Sequence, residues 1–177
     1  MARLCPNPFL FAGLLVCAVG CAGTAPVAHG PAAHLELPIV DGSTRTLDDE
    51  RGRVVVLHFF ATWSAAAQMD VTVLNRAFDT YDPADLTIVG VALDPDGRQL
   101  VVPWLDAVGA RYEIAILPEL SPGGGDAAHP SWGAIRAVPT TVVLDRTGRV
   151  VWRWEGALPP RAFGDVLASF QTRSRLP

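Results

Sequence analysis

Thiols are missing from almost the whole chain. Of the 177 residues three are cysteines, and all of them, Cys5, Cys17 and Cys21, lie near the N-terminus. Residues 22–177 therefore offer no internal disulfide, no cysteine metal site and no thiolate nucleophile. Lysine is also absent, so the 14 basic residues are all arginines, and they form no basic run. Together with the formal net charge of −4, this argues against nucleic-acid binding.

Length and composition fit one folded domain that follows a targeting segment. Half of the residues are hydrophobic, and domains cluster at about 100–150 residues. A domain of that size buries roughly two thirds of the surface that its unfolded chain exposes, which is enough for an independent core. We expect a signal peptide over residues 1–21, a flexible Pro- and Ala-rich tether over residues 22–34 and one domain over residues 35–172.

The N-terminal segment has the features of an export signal. Arg3 precedes an apolar stretch, residues 9–19, which is shorter than the ~20 residues of a membrane-spanning helix. The sequence Ala18-Val19-Gly20-Cys21 resembles a bacterial lipobox, with Ala18 in place of the usual leucine. We predict that Cys21 is a lipid anchor and that the domain lies in the periplasm or outside the cell. Ordinary cleavage near residues 22–25 and an uncleaved anchor are the alternatives.

Hydrophobic patterning predicts an α/β fold with a central mixed sheet. Unbroken apolar runs predict buried strands at 54–60 and 86–93. In the helix after the first of these, Met69, Val73, Leu74 and Ala77 form the expected apolar stripe. The other predicted elements are strands at 35–40, 112–117, 140–144 and 150–154, a one-turn helix near 46–49, and helices at 64–81, 99–108 and 159–170. Pro103 either weakens the middle helix or marks its first turn.

Residues 118–130 (PELSPGGGDAAHP) predict a loop rich in glycine and proline. No Gly-Lys-Ser/Thr motif follows Gly123–Gly125, which argues against phosphate binding there. His129 in this loop is expected to be solvated. No metal site and no cofactor site are predicted anywhere in the chain.

His58 and Ser64 are the residues to consider as a base and a nucleophile. Such a pair needs hydrogen-bond reach, an orienting third group and an oxyanion hole, and the sequence indicates none of these. We expect His58 to be partly buried and satisfied by a backbone group or water. No catalytic residue is therefore assigned.

Two sequence motifs at this separation carry a family resemblance. One is the Phe59-x-Ala61-Thr62-Trp63 run that ends a buried strand, and the other is Val138-Pro139-Thr140-Thr141 followed by Asp145 and Gly148. Leu37-Pro38, Asp41-Gly42, Leu47, Arg51-Gly52 and strand 86–93 extend the likeness over residues 35–170. On these residues the chain resembles the extracytoplasmic TlpA/ResA type of thioredoxin-like thiol-disulfide oxidoreductase.

The resemblance implies a thioredoxin fold with a reactive corner. One side would be the helix N-terminus after Trp63, and the other a loop that ends in a cis proline, Pro139, where the backbone of Val138 can pair with an extended peptide. In the family, a first thiol attacks and a second resolves the mixed disulfide. Ser64 and Ala67 occupy these two positions, so dithiol, peroxiredoxin-type and Sco-type copper chemistry all lack their sulfur. Asp70 stands where relatives often carry glutamate.

The sequence thus predicts a redox-inactive lipoprotein that binds an extended peptide or an envelope protein. The predicted contacts are Trp63, Ser64, Val138 and Pro139, although Trp63 could instead serve in packing. The alternative is a thiol-disulfide oxidoreductase or peroxiredoxin-like antioxidant enzyme that uses an external thiol. A purely structural partner in an envelope complex is a third reading.

Overall fold

The structure is a computed structural model, and it describes residues 35–122 and 129–174. The predicted signal peptide, the proposed anchor Cys21, the tether at 22–34 and Gly123–Gly125 lie outside the described residues.

Within these residues the order of elements follows the sequence pattern. They are β1 (Glu36–Pro38), β2 (Thr44–Thr46), β3 (Val54–Phe60), α1 (Ala65–Thr80), β4 (Leu86–Ala92), α2 (Arg98–Val108), β5 (Glu113–Ile116), β6 (Thr140–Leu144), β7 (Val150–Glu155) and α3 (Pro160–Ser174). Short 3₁₀ turns occupy Asp48–Glu50 and Pro118–Leu120. The predicted bounds of β3 and β6 match at both ends, whereas β2 was not predicted.

The central sheet is mixed, as the sequence predicted. Its strand order is β5-β4-β3-β6-β7, with β3, β4 and β5 parallel and with β6 and β7 antiparallel to their neighbours. β1 and β2 form a separate antiparallel hairpin. An isolated bridge between Ile39 and Ala115 connects this hairpin to β5 at the edge of the sheet.

The two faces of the sheet are covered differently. Alternate residues of a strand point to opposite faces, and in β3 Val56 and Phe60 pack in a cluster with buried residues of α1, α2 and α3. Leu57 and Phe59 lie in a second cluster, with residues of the β1–β2 hairpin and of the loop before β6. The helices therefore share one face, and the hairpin and the loop cover the other.

Two details of the helices differ from the prediction. Met69 is 65% exposed, whereas Asp70 beside it is buried, because the inward positions of α1 are Ala67, Asp70, Val71, Leu74 and Ala77. Pro103 lies inside α2, beyond its first turn. Burial of the neighbouring Val101 and Trp104 in the core offsets the backbone hydrogen bond that a proline removes.

Candidate functional site

Three loop segments meet at one edge of the sheet. β3 and β4 are parallel, and their last residues, Phe60 and Ala92, are register partners. β6 runs the other way, and its first residue, Thr140, pairs with Phe59. The segments 61–64, 93–97 and 138–139 therefore leave or enter the sheet at the same end of these central strands. The register brings the predicted site residues Trp63, Ser64, Val138 and Pro139 to this end, which we call the corner.

Ser64 is the N-cap of α1. Its backbone is extended (φ −82°, ψ 111°), and its Oγ accepts a hydrogen bond from the N–H of Ala67 at 3.3 Å. Its own N–H donates to the carbonyl of Ala61 at 3.0 Å. Both Ser64 and Ala67 are buried. The hydroxyl is thus engaged in capping the helix, and within the described residues no hydrogen bond joins Ser64 to His58.

A buried carboxylate holds the turn that leads to Trp63. Asp94 is fully buried, and both of its oxygens lie 3.1 Å from the N–H of Thr62, while the Thr62 hydroxyl donates to Oδ1 at 2.7 Å. Trp63 itself is 73% exposed. The sequence analysis gave Asp94 no role in the site. An acidic residue directly after a buried strand, at the edge where the site lies, was the signal that could have indicated it.

The opposite side of the corner is formed by Val138 and Pro139. The peptide bond between them is cis. Pro139 is buried and Val138 is half-buried. The carbonyl of Pro139 accepts a hydrogen bond from the N–H of Gly156 at 2.8 Å. Within the described part of the chain, the N–H and C=O of Val138 make no hydrogen bond, so one short stretch of backbone beside the corner is unpaired.

Two ionisable residues lie buried between β3 and α1. His58 is fully buried, and its Nδ1 lies 3.0 Å from the Thr141 hydroxyl. Asp70 accepts the N–H of Leu158 at 2.8 Å through Oδ1. His58 Nε2 and Asp70 Oδ2 are 3.9 Å apart, and neither atom has a hydrogen-bond partner within the described residues. The prediction of a partly buried His58 satisfied by backbone or water was wrong, because a threonine on the neighbouring strand is its partner.

Burial moves the pKa values of this pair in opposite directions. Loss of hydration disfavours the charged form of each group. It lowers the pKa of His58 to about 3 and raises the pKa of Asp70 to about 6, while the hydrogen bond from Leu158 partly opposes the latter shift. Burial, together with the nearby charge of Asp70, also raises the pKa of Tyr112. At neutral pH His58 is therefore an uncharged imidazole.

His129 and the tryptophans away from the corner pack into the domain. His129 was expected to be solvated, but it is half-buried and stacks on Trp132, with ring centroids 3.4 Å apart and planes within 5°. Burial lowers its pKa to about 4. Trp152 and Trp154 share one face of β7, with nearly parallel rings 6.1 Å apart, and Trp152 also contacts Phe163. Contact with an aromatic neighbour, which the sequence did not reveal, explains the position of His129.

A mixed sheet of this order, with a helix N-terminus and a cis X–Pro bond at the same edge, defines a protein of the thioredoxin fold. Ser64 and Ala67, which the family resemblance places at the two dithiol positions, lie at the start of α1. The model of the AhpC/TSA family matches residues 29–153, which is well over half of the chain. The chain therefore belongs to the AhpC/TSA family.

Known relatives and structures agree with this assignment. The chain is 28% identical to the thiol:disulfide interchange protein DsbE of Xylella fastidiosa (strain Temecula1 / ATCC 700964) over 130 residues, which are 72% of this chain and 61% of the relative. It is 25% identical to the thiol-disulfide oxidoreductase ResA of Bacillus thuringiensis (strain Al Hakam) over 113 residues, 63% of this chain and 60% of the relative. The chain thus spans about three fifths of these relatives.

Among solved structures, the chain is similar to a thiol:disulfide interchange protein, a thioredoxin family protein from Chlorobium tepidum TLS. The TM-score is 0.65 at 23% identity, and the match covers 82% of this chain and 98% of that one. This likeness establishes the fold. Within residues 35–122 and 129–174, no helix is long and apolar enough to cross a membrane.

Proposed function

We propose that this protein is a redox-inactive, thioredoxin-like binding module that takes an extended peptide, or an extended segment of an envelope protein, at the corner. The observation that carries the proposal is the presence of Ser64 and Ala67 at the dithiol positions of an otherwise complete corner. Disulfide exchange needs a thiolate that attacks and a thiol that resolves, and residues 22–177 contain neither.

The chemistry of the two replacements supports a loss of electron transfer. The Ser64 hydroxyl accepts the capping hydrogen bond of α1, and an alcohol forms no disulfide. Ala67 is completely buried and has no reactive atom. The thiol-disulfide activity in the names of the relatives belongs to proteins whose full length this chain only partly covers.

Binding at the corner requires no thiol. An extended peptide can add to exposed backbone through main-chain hydrogen bonds, and the N–H and C=O of Val138 are unpaired in the described structure. Trp63 offers a large exposed aromatic surface on the other side, and aromatic residues are enriched at contact sites. Ser64 and Pro139 are the other two proposed contacts. No cofactor is needed for this function.

Export and lipid anchoring through Cys21 complete the proposal, with residues 22–34 as the tether and residues 35–172 as the domain. The test is metabolic labelling of cells that express the full chain with an alkyne analogue of palmitate. Label on the wild type that is absent from Cys21→Ser would support the anchor. Equal labelling of both proteins, or of neither, would contradict it.

The redox part of the proposal is tested by insulin reduction in dithiothreitol. We expect the wild-type chain to match the protein-free blank, and the double variant Ser64→Cys/Ala67→Cys to gain measurable reductase activity because the corner geometry is retained. A single Ala67→Cys variant is the matched control, since it adds one thiol but no dithiol–disulfide pair. Turnover by the wild type above the blank would overturn redox inactivity.

The binding part is tested by NMR with the S-carboxymethylated insulin B chain as an extended probe peptide. We expect shifts of the Trp63 indole and Val138 amide signals that saturate with peptide, and weaker binding by Trp63→Ala. Phe78→Ala is the control, because Phe78 is an exposed aromatic residue farther along α1. Shifts confined to residues away from the corner would contradict the proposed site.

Family membership supports one alternative, a thiol-disulfide oxidoreductase or peroxiredoxin-like enzyme that uses an external thiol. Its test is disulfide reduction or peroxide consumption by the wild-type chain with glutathione added. Turnover that exceeds the glutathione-only rate and is lost in Ser64→Ala would favour this alternative over the binding module.

A further inference from the structure

A groove of about 390 Å³ lies between the second half of α1 and the start of α3. Its walls are largely apolar, and they combine side chains of both helices with the tyrosine that follows α1. The lining residues that matter are Val73, Ala77, Tyr81, Phe163, Gly164 and Leu167. Thr72, the lining residue nearest to the corner in sequence, is eight residues after Ser64, or about 12 Å along a helix. The groove is therefore separate from the corner.

The groove opens into a second, polar cavity of about 470 Å³. Thr72, Arg76 and Thr80 line both cavities. The polar cavity also contains Asp79 and Arg111, which form an ion pair with each other. Arg76 is exposed, and its guanidinium has no hydrogen bond or ion pair to any described residue. One uncompensated positive charge thus lies where the apolar groove meets its polar extension.

A glycine keeps the groove open. Gly164 lies inside α3, where glycine is less favourable than alanine because it loses more conformational freedom on folding. Its φ is not in the positive range, and a Cβ built on it meets no atom within 4 Å. Neither the backbone nor close packing requires glycine here. The consequence of a side chain at this position would be to fill the groove.

We propose that the groove binds a single-chain fatty carboxylate, with its alkyl chain between α1 and α3 and its carboxylate on Arg76. A volume of this size is typical of small-molecule sites, which are mostly apolar with a few polar groups that fix orientation. The paired cavities fit a ligand that is apolar at one end and anionic at the other. The guanidinium of Arg76, unpaired among the described residues, complements an anionic head group better than an uncharged one. The proposal stands independently of the peptide site at the corner.

The first experiment is a calorimetric titration of the full-length chain with dodecanoate at concentrations below its critical micelle concentration. We expect saturable 1:1 binding that falls at least tenfold in Gly164→Leu, because leucine fills the space of the alkyl chain. Ala162→Leu adds the same side chain on an exposed position of α3 outside the groove and should bind as the wild type does. Absence of binding, or equal binding by Gly164→Leu and the wild type, would overturn the proposal.

The second experiment assigns the head group. Arg76→Gln should weaken dodecanoate binding at least fivefold and leave dodecanol binding unchanged, whereas Arg161→Gln, on an exposed residue outside the groove, should change neither. Equal affinity of the wild type for dodecanol and for dodecanoate would show that Arg76 does not bind the head group. Tighter binding of dodecyl phosphate than of dodecanoate would overturn the carboxylate in favour of a phosphate head group.

Discussion

The corner and the layer between β3 and α1 differ in their ionisable groups. At the corner, the side chains of Trp63, Ser64, Val138 and Pro139 are not ionisable. Between β3 and α1, His58 and Asp70 are both buried, face each other across 3.9 Å and have pKa values that burial shifts in opposite directions. The shape of the corner thus depends on capping and hydrogen bonds, whereas the layer below holds a buried pair whose two pKa shifts oppose each other.

The largest expected effect comes from removing the carboxylate that fixes the corner. Asp94→Ala leaves the N–H and the hydroxyl of Thr62 without their acceptor, and hydrogen bonds to a charged group contribute about 1.5–3 kcal/mol. We expect the free energy of unfolding to fall by about 3 kcal/mol in urea titrations. Asp96→Ala, at an exposed position of the same turn, should cost under about 0.5 kcal/mol. Equal effects of the two variants would mean that Asp94 does not hold the corner.

The second prediction tests the buried layer through pH. Between about pH 4 and 6, one proton of this pair lies on His58 in the unfolded chain and on Asp70 in the folded chain. Burial lowers the pKa of His58 and raises the pKa of Asp70, which reverses the order of the two values. Folding releases one proton from the histidine and takes up one at the aspartate. The two contributions to ∂ΔG/∂pH have opposite signs, so we expect the wild-type stability to depend little on this pair in that range.

Single variants should separate the two contributions. In Asp70→Asn only the histidine responds, and its lowered pKa makes the protein lose stability as pH falls from 6 to 4. In His58→Gln only the aspartate responds, and its raised pKa makes the protein lose stability as pH rises from 4 to 6. Each change amounts to roughly 2 kcal/mol over the two pH units. Urea titrations at both pH values measure it, and parallel profiles for the two variants would rule out the opposed shifts.

Sequence reasoning located the corner but not the residues that support it. The bounds of β3 follow from its apolar run, and those of β6 follow from Pro139 before it and the turn at 145–148 after it. The positions of Ser64 and Pro139 at the corner follow from the family resemblance. The expected stripe on α1 missed Asp70, because an aspartate reads as a solvent-facing residue. Oδ1 of Asp70 accepts the N–H of Leu158, 88 residues away. Asp94 meets Thr62 across 32 residues. Such pairings depend on strand register and on how α3 docks, which local patterns do not specify.

The third prediction separates the structural role of Ser64 from a chemical one. Ser64→Ala removes the N-cap acceptor of α1, and loss of an N-cap costs about 1 kcal/mol. Ser64→Asp retains a capping oxygen, so its free energy of unfolding should lie within about 0.5 kcal/mol of the wild-type value. Urea denaturation of the three proteins is the measurement. If Ser64→Ala were as stable as the wild type, the hydroxyl would be free of a capping role, and its use in chemistry would have to be reconsidered.

The smallest expected effect on stability is that of Trp63, and this small effect is informative. The sequence left open whether Trp63 packs or recognises a partner. Because Trp63 is 73% exposed, its replacement by alanine should change the free energy of unfolding by less than about 0.5 kcal/mol, whereas truncating a buried aromatic residue costs about 3–5 kcal/mol. Thermal unfolding of Trp63→Ala measures this directly. A loss above 2 kcal/mol would identify Trp63 as a packing residue. Unchanged stability together with weakened peptide binding would show that the indole of Trp63 contributes to binding a partner rather than to folding.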